Sequence, residues 1–369
     1  MRIGIDARVL YAPQLKGIGR YLQHLLDHLV LADGGHEYLL FYDEGSAVVD
    51  RTPRHPGVKA VPVEARSEEL WEQWALPRMA RRLDVDLFHS PANTTMCWAP
   101  CPVVVTLHDA DSHRMAAQWG RRAQWYWNGL QRWAYRRTRR FIAPSAFGKQ
   151  QLMQCLQIPG QRIRVVPHGI AARYHRTDPA TVSAWMARYD LHQPYLFTAG
   201  ARSARKNIPS LLRAFDQVAR QRPGVTLVVS GVAGVRDVEA VRSQLANRQR
   251  IRCVPHLEEP ELIAAYSGAE VFVFPSLNET FGFPPLEAMA CGAPVVASNA
   301  TCMPEVLGDA AFLVDCTRPE PLAEAILKVL GDPALQAQLV ERGLARARQF
   351  RWEQAARETL AVYEEAVGG

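Results

Sequence analysis

Along the chain, short apolar runs alternate with longer segments whose apolar residues recur at three- and four-residue spacing. Runs such as VVVTL at 103–107 and VFVFP at 271–275 lack the in-out alternation of a strand with one wet face. Strands of that kind are covered by helices on both sides, so the pattern predicts an α/β fold with parallel sheets. The strand candidates of the first half are residues 2–5, 38–42, 58–63, 87–89, 103–107, 139–143 and 163–166. Those of the second half are 195–198, 226–230, 251–254, 271–275, 295–298 and 311–314. They divide into two doubly wound sheets. The polar stretch 174–194 holds one short helix and no strong strand, and reads as the interdomain linker. The expected domains are therefore 1–185 and 186–350, followed by a last helical segment, 351–369. Neither an internal repeat nor a low-complexity tract is visible.

Length agrees with this division, since 369 residues at 48% hydrophobic exceed a comfortable single core. No apolar run approaches bilayer length, and MRIGID at the start reads as a first strand, so the expected location is the cytoplasm. Seven scattered cysteines suggest reduced thiols. Cys97 and Cys101, the closest pair, lack the second ligand pair of a zinc site.

Charge changes the picture more. Residues 1–190 carry 25 Lys+Arg against 17 Asp+Glu, whereas residues 191–369 carry 18 against 20. The basic focus is 114–140, with eight arginines, no acid, and Trp119, Trp125, Tyr126, Trp127, Trp133 and Tyr135 interleaved. At helical spacing Ala123, Trp127, Leu130 and Ala134 form a buriable stripe, while Arg121, Trp125, Arg132, Arg136 and Arg139 share another face. Such a face suits the anionic headgroups of an inner membrane. A solvated face with its tryptophans in the core is the rival reading. Nucleic acid ranks last, because no nucleic-acid module accompanies the patch.

The most informative chemistry lies at 278–297, NETFGFPPLEAMACGAPVVA, where Glu279 and Glu287 bracket a Gly/Pro-rich turn between a strand and a helix. Ligands of open α/β sheets sit outside the carboxyl ends of strands, where helix-start N–H groups hold phosphate. Glu279 in the loop suits sugar hydroxyls, and Glu287 just inside the helix suits a vicinal diol such as ribose. A pair of ordinary surface acids is the alternative. Gly17 and Gly19 fall between the first strand and a helix, where glycine lets backbone approach a phosphate or sugar. His108 ends the strand 103–107. Arg202, Arg205 and Lys206 gather after the strand 195–198 and Gly200. Fixed cations there stabilise a departing diphosphate most as its bond breaks. Asp84-Val85-Asp86 and Asp109-Ala110-Asp111 mimic a metal-chelating D-x-D, but the first leads straight into a strand.

The stretch 279–287 resembles the E-x7-E signature of retaining glycosyltransferases of the GT-B fold, in particular glycosyltransferase family 4. The resemblance extends to KGIGRY at 16–21, VVTLHD at 104–109, FIAPS at 141–145, RVVPHG at 164–169, residues 200–207 and WEQAA at 352–356. It implies two Rossmann-like domains flanking a cleft, with the last helix packing back on the N-terminal domain. Glu279, His108, Lys206 and Arg205 would serve catalysis, and Gly17, Gly19, Arg202, Phe281, Gly282, Leu286 and Glu287 would contact the donor. Many relatives have an arginine directly after the glycine where this chain has Ala201, which leaves Arg202 or Arg205 to replace it. No cofactor and no metal are implied. The leaving diphosphate would help deprotonate the acceptor hydroxyl on the same face of the sugar, with no protein nucleophile beneath it.

The motifs at 5–8, 107–109 and 277–282 look most like members that build bacterial polysaccharides. They imply mannose from GDP-mannose, moved to a glycan or polyprenyl-diphosphate-linked acceptor. A UDP-sugar donor of glucosyl type is the alternative. An epimerase of the same architecture, which needs no acceptor, and a non-catalytic nucleotide-sugar-binding scaffold also remain open.

Overall fold

In the computed structural model, which describes every residue except 16, 33–34, 46–47, 201–202, 233–234 and 369, the apolar runs become the strands of two parallel sheets. The first contains β1 (Arg2–Asp6), β2 (Glu37–Asp43), β3 (Val58–Val63), β4 (Leu87–Ser90), β5 (Val103–Thr106), β6 (Arg140–Ala143) and β7 (Ile163–Val165). Their spatial order is β3-β2-β1-β4-β5-β6-β7. The second contains β8 (Tyr195–Thr198), β9 (Thr226–Ser230), β10 (Ile251–Val254), β11 (Val271–Phe274), β12 (Val295–Ser298) and β13 (Phe312–Val314), ordered β10-β9-β8-β11-β12-β13. Every residue of β4, β5, β8, β11 and β12 is buried, which explains their unbroken apolar character.

In each sheet the winding direction reverses once, between β1 and β4 and again between β8 and β11. A reversal leaves a crevice at the carboxyl ends of its two strands, because the connecting helices diverge to opposite faces.

The chain forms two compact units. The first comprises Met1–Gly169 with Arg351–Gly369, and the second Ile170–Phe350. The division falls earlier than the expected boundary after residue 185. The helix Pro179–Arg188 packs on the second sheet, with Trp185 lying 5.8 Å from the Tyr195 ring and 6.4 Å from that of Phe197. Thr177 and Arg173 are tied to the same unit through Ser267 and Glu259.

The final helix, Trp352–Gly368, packs against the helix Gly17–Ala32 of the first unit. A Cβ on Gly169 would collide with the backbone and ring of Trp352, so only glycine admits the chain there. No helix among the described residues is long and apolar enough to cross a membrane. All seven cysteines are free thiols.

Between residues 114 and 140 the expected single helix is broken. The short helix Asp111–Met115 ends before Gly120, whose φ of +99° turns the chain, and Arg121–Gln124 continues as a π-helix over Trp125–Gln131 before Arg132–Arg137. Trp125 is 63% exposed, so the reading that buries every tryptophan fails there. Arg132 leaves its expected face: Nη2 donates to the Cys155 carbonyl at 2.7 Å.

Candidate active site

In the second unit, β11 runs into the loop 275–282 and then the helix Phe283–Ala290. Gly282 has φ +87°, and the Met303 methyl lies 2.5 Å from where its Cβ would stand. Glycine is required at that corner. Pro284 and Pro285 follow in the first turn. Prolines carry no N–H, so the first turn of this helix has main-chain N–H groups only at Gly282 and Phe283.

Glu279 is 8% exposed and stands among cations. Its Oε1 lies 2.6 Å from Lys206 Nζ and accepts from Ser276 Oγ at 2.7 Å, while Oε2 lies 2.5 Å from Arg205 Nη1. Arg205 also donates to the Asn278 carbonyl, and Leu277 N–H donates to the Arg205 carbonyl, which clamps loop 204–207 to loop 275–282. Lys206 Nζ sits 4.5 Å from the Phe274 ring centroid. Burial alone would raise the Glu279 carboxyl, but Lys206 and Arg205 outweigh it and hold the group below the usual carboxylate range. Burial lowers the Lys206 ammonium, against the pull of Glu279. The result is a desolvated Glu279–Lys206 pair, flanked by the more exposed Arg205, at the β8/β11 reversal.

Glu287 lies on the second turn of its helix, 5% exposed, and accepts from Tyr266 Oη at 3.1 Å. It is not the surface acid of the alternative reading. Phe281 is buried edge-on against Phe283 and Phe350. The Leu286 side chain is fully buried, which leaves only its main chain to face a ligand. Gly200 has φ +78° and approaches the end of the Lys206 side chain. Arg202 lies outside the described residues.

In the first unit, His108 follows β5. Its Nε2 stands 2.8 Å from the Pro91 carbonyl, which can only accept, so Nε2 carries the proton and Nδ1 is an acceptor. Burial lowers its pKa to about 4, so the ring is neutral near pH 7. Tyr21 and His168 pack on it, at 4.8 and 5.5 Å between ring centroids, and His168 stacks on Trp352. Behind this cluster a buried hydrogen-bond chain runs from Tyr363 Oη through His89 to Thr106 Oγ1 and Tyr21 Oη, with steps of 2.7, 2.8 and 3.0 Å. Sequence reasoning gave His89 no role, because a histidine inside an apolar strand carries no local signal.

Gly17 and Gly19 part company. A Cβ on Gly17 would meet nothing within 4 Å, whereas one on Gly19 would stand 2.6 Å from the Val9 carbonyl oxygen and 2.8 Å from Leu15. Packing therefore accounts for Gly19, and not for Gly17.

At the β1/β4 reversal, Arg8 bonds Asp6 at 2.7 Å and reaches the buried Glu72 at 3.2 Å. Glu72 also accepts from Gln73, Tyr126 and Gln131. No group of three or more His, Cys, Asp or Glu side chains able to hold a metal occurs among the described residues. Asp109 instead accepts from the Asp111 amide, and Asp86 from the Arg2 amide.

Comparison with known proteins matches the same two regions. Residues 15–174 match "Glycosyltransferase Family 4", and residues 186–346 match "Glycosyl transferases group 1". The O-antigen chain mannosyltransferase B of Escherichia coli is 28% identical over 95% of this chain and 96% of its own length. Among solved structures, sucrose-phosphate synthase from Thermosynechococcus elongatus superposes with a TM-score of 0.77 at 19% identity, covering 100% of this chain and 99% of that one. Anabaena Alr3699/HepE in complex with UDP-glucose superposes at 0.73 and 19%, covering 98% and 99%. With two wound sheets, each matched by its own half of the family, the chain is a GT-B glycosyltransferase that joins a Family 4 region to a group 1 region.

Proposed function

We propose that the protein transfers mannose from GDP-mannose to a lipid-linked or other glycan acceptor in polysaccharide synthesis, with retention and without a metal. The similarity to an O-antigen mannosyltransferase along nearly the full length of both chains carries the sugar and the pathway class. The buried Glu279–Lys206 pair, with the more exposed Arg205 on its second carboxylate oxygen, supports the chemistry. In this reading the C1–O bond to the diphosphate breaks as the acceptor oxygen bonds C1 on the same face, and the acceptor proton passes to a diphosphate oxygen. Lys206 and Arg205 stabilise the charge that develops on the leaving group. Glu279 holds both cations and hydrogen-bonds the donor sugar. Glu287, oriented by Tyr266, takes the ribose, and the Phe281 and Gly282 amides take sugar or phosphate oxygens. His108 Nδ1 accepts from a sugar hydroxyl.

A UDP-sugar is the second reading, because the full-length neighbour HepE was solved with UDP-glucose. Calorimetry of GDP, UDP and their sugar conjugates in chelator separates the two. Tight metal-free GDP-mannose binding supports the first; preference for UDP-glucose overturns it. Product NMR with a lipid-linked acceptor then reads the anomer, and turnover of donor without acceptor would indicate an epimerase.

We further read the 114–140 region as a peripheral membrane contact on the cytoplasmic side. Exposed Trp119 and Trp125, with exposed Arg121, Arg136 and Arg139, support it.

A further inference from the structure

At the edge of the first sheet where its strands begin, a cavity of about 430 Å³ opens between the helices Leu76–Arg82 and Arg132–Arg137 and the loop that enters β5. Its floor is apolar and buried, formed by Met96, Val103 and Ala134. Three exposed arginines, Arg78, Arg81 and Arg137, line it with Trp98, which is 61% exposed.

Two of the three cations are organised by aromatic rings. Arg78 lies 4.6 Å from the centroid of exposed Trp74, Arg137 lies 4.1 Å from that of Trp133, and Trp133 packs 4.7 Å from Trp98. Stacking holds a guanidinium by its face and leaves its N–H edge for an anion. None of the three arginines forms an ion pair with a carboxylate among the described residues. Three like charges around one cavity repel each other, and an external anion relieves that repulsion.

A free phosphate would use the guanidiniums and leave the apolar floor and the exposed indoles without purpose. An amphiphile uses all three, with phosphate on arginine, indole at the interface and hydrocarbon against the floor. We propose that this cavity binds the phosphate headgroup of an anionic phospholipid and seats the first unit on a membrane. It is distinct from the surroundings of His108, which lie beyond the other end of β5, a strand length of roughly 13 Å away. The inference deepens the membrane contact proposed above and rests on it.

The test is flotation of the full chain with phosphatidylcholine vesicles, with and without phosphatidylglycerol. The wild type is expected to float only with phosphatidylglycerol. Arg78→Gln/Arg81→Gln should weaken that binding about 30-fold, at roughly 1 kcal/mol per basic residue near an anionic surface. Arg213→Gln/Arg236→Gln, which removes equal exposed charge from the second unit, should cost only a few-fold. Equal losses in the two variants, or wild-type binding by Arg78→Gln/Arg81→Gln, would overturn the cavity and leave the broader membrane reading standing. Indifference of the wild type to phosphatidylglycerol would overturn both. Should the arginine variant misfold, quenching by brominated phosphatidylglycerol, read as wild type minus Trp98→Phe, gives the second measurement; absence of a Trp98 contribution sinks the proposal.

Discussion

Lys206 and Glu279 form a buried ion pair across two loops, Nζ to Oε1 at 2.6 Å, with the second carboxylate oxygen on Arg205. Such a pair is maintained at a cost in desolvation, so its removal separates folding from chemistry. Lys206→Ala is expected to lower kcat/KM by about 10²–10³, the scale for deleting one preorganised charge, and to cost up to about 3 kcal/mol of stability. Steady-state kinetics and denaturant melts check both. Near-normal turnover would remove Lys206 from the reaction.

Acid should weaken the first unit. His89 and His108 titrate at about 3 and about 4 in the fold, against an ordinary 6.5, because burial disfavours the charged ring. The folded values lie below the unfolded ones, so between about 4 and 6.5 the unfolded chain binds protons that the native chain refuses, and stability falls as pH falls through that window. Near pH 5 each of the two rings should cost about 2 kcal/mol relative to neutrality. Thermal melts of the wild type and His89→Gln test this, with a shallower pH slope expected in the variant.

The two glycines of the first loop give opposite expectations. Gly19→Ala should destabilise by about 1–3 kcal/mol through overpacking against the Val9 carbonyl. Gly17→Ala has open space around its Cβ and should melt no lower than the wild type. A fall in kcat/KM for Gly17→Ala, with melting unchanged, would mark a ligand contact; unchanged kinetics would make Gly17 a plain helix start.

Gln131 ties the π-helical segment Trp125–Gln131 to a second one, Trp71–Ala75, since Nε2 donates to Glu72 Oε1 at 2.7 Å and Oε1 accepts from the Thr95 amide at 3.0 Å. Gln131→Leu leaves that buried amide without its acceptor and should cost about 1–3 kcal/mol. Amide exchange should accelerate at 95 and across Trp125–Gln131. Unchanged exchange at these positions would mean that the network does not hold the segment.

The strands were legible because a strand buried on both faces writes an unbroken apolar run, as in β5 and β11, and no distant contact alters that. The loop at 278–282 was legible because Gly282 and the two prolines fix a corner locally. The region 114–140 was harder. A period of 3.6 assumes one continuous helix, and Gly120 with the π-turn at Trp125–Gln131 resets the phase, which is why Arg132 left its expected face. The partner of Glu287 lies 21 residues away on another helix, and the His89 chain closes on Tyr363 across 274 residues. Contacts at such separations leave no spacing pattern to read.

The first unit is assembled from both ends of the chain, whereas the second is one uninterrupted segment. During synthesis the second unit is therefore complete before the first can be. Until Trp352 and Tyr363 have left the ribosome, the hollow beside Gly169 has no indole and His89 lacks its hydroxyl partner. A released chain truncated after Phe350 should carry a folded second unit beside an unfinished first one.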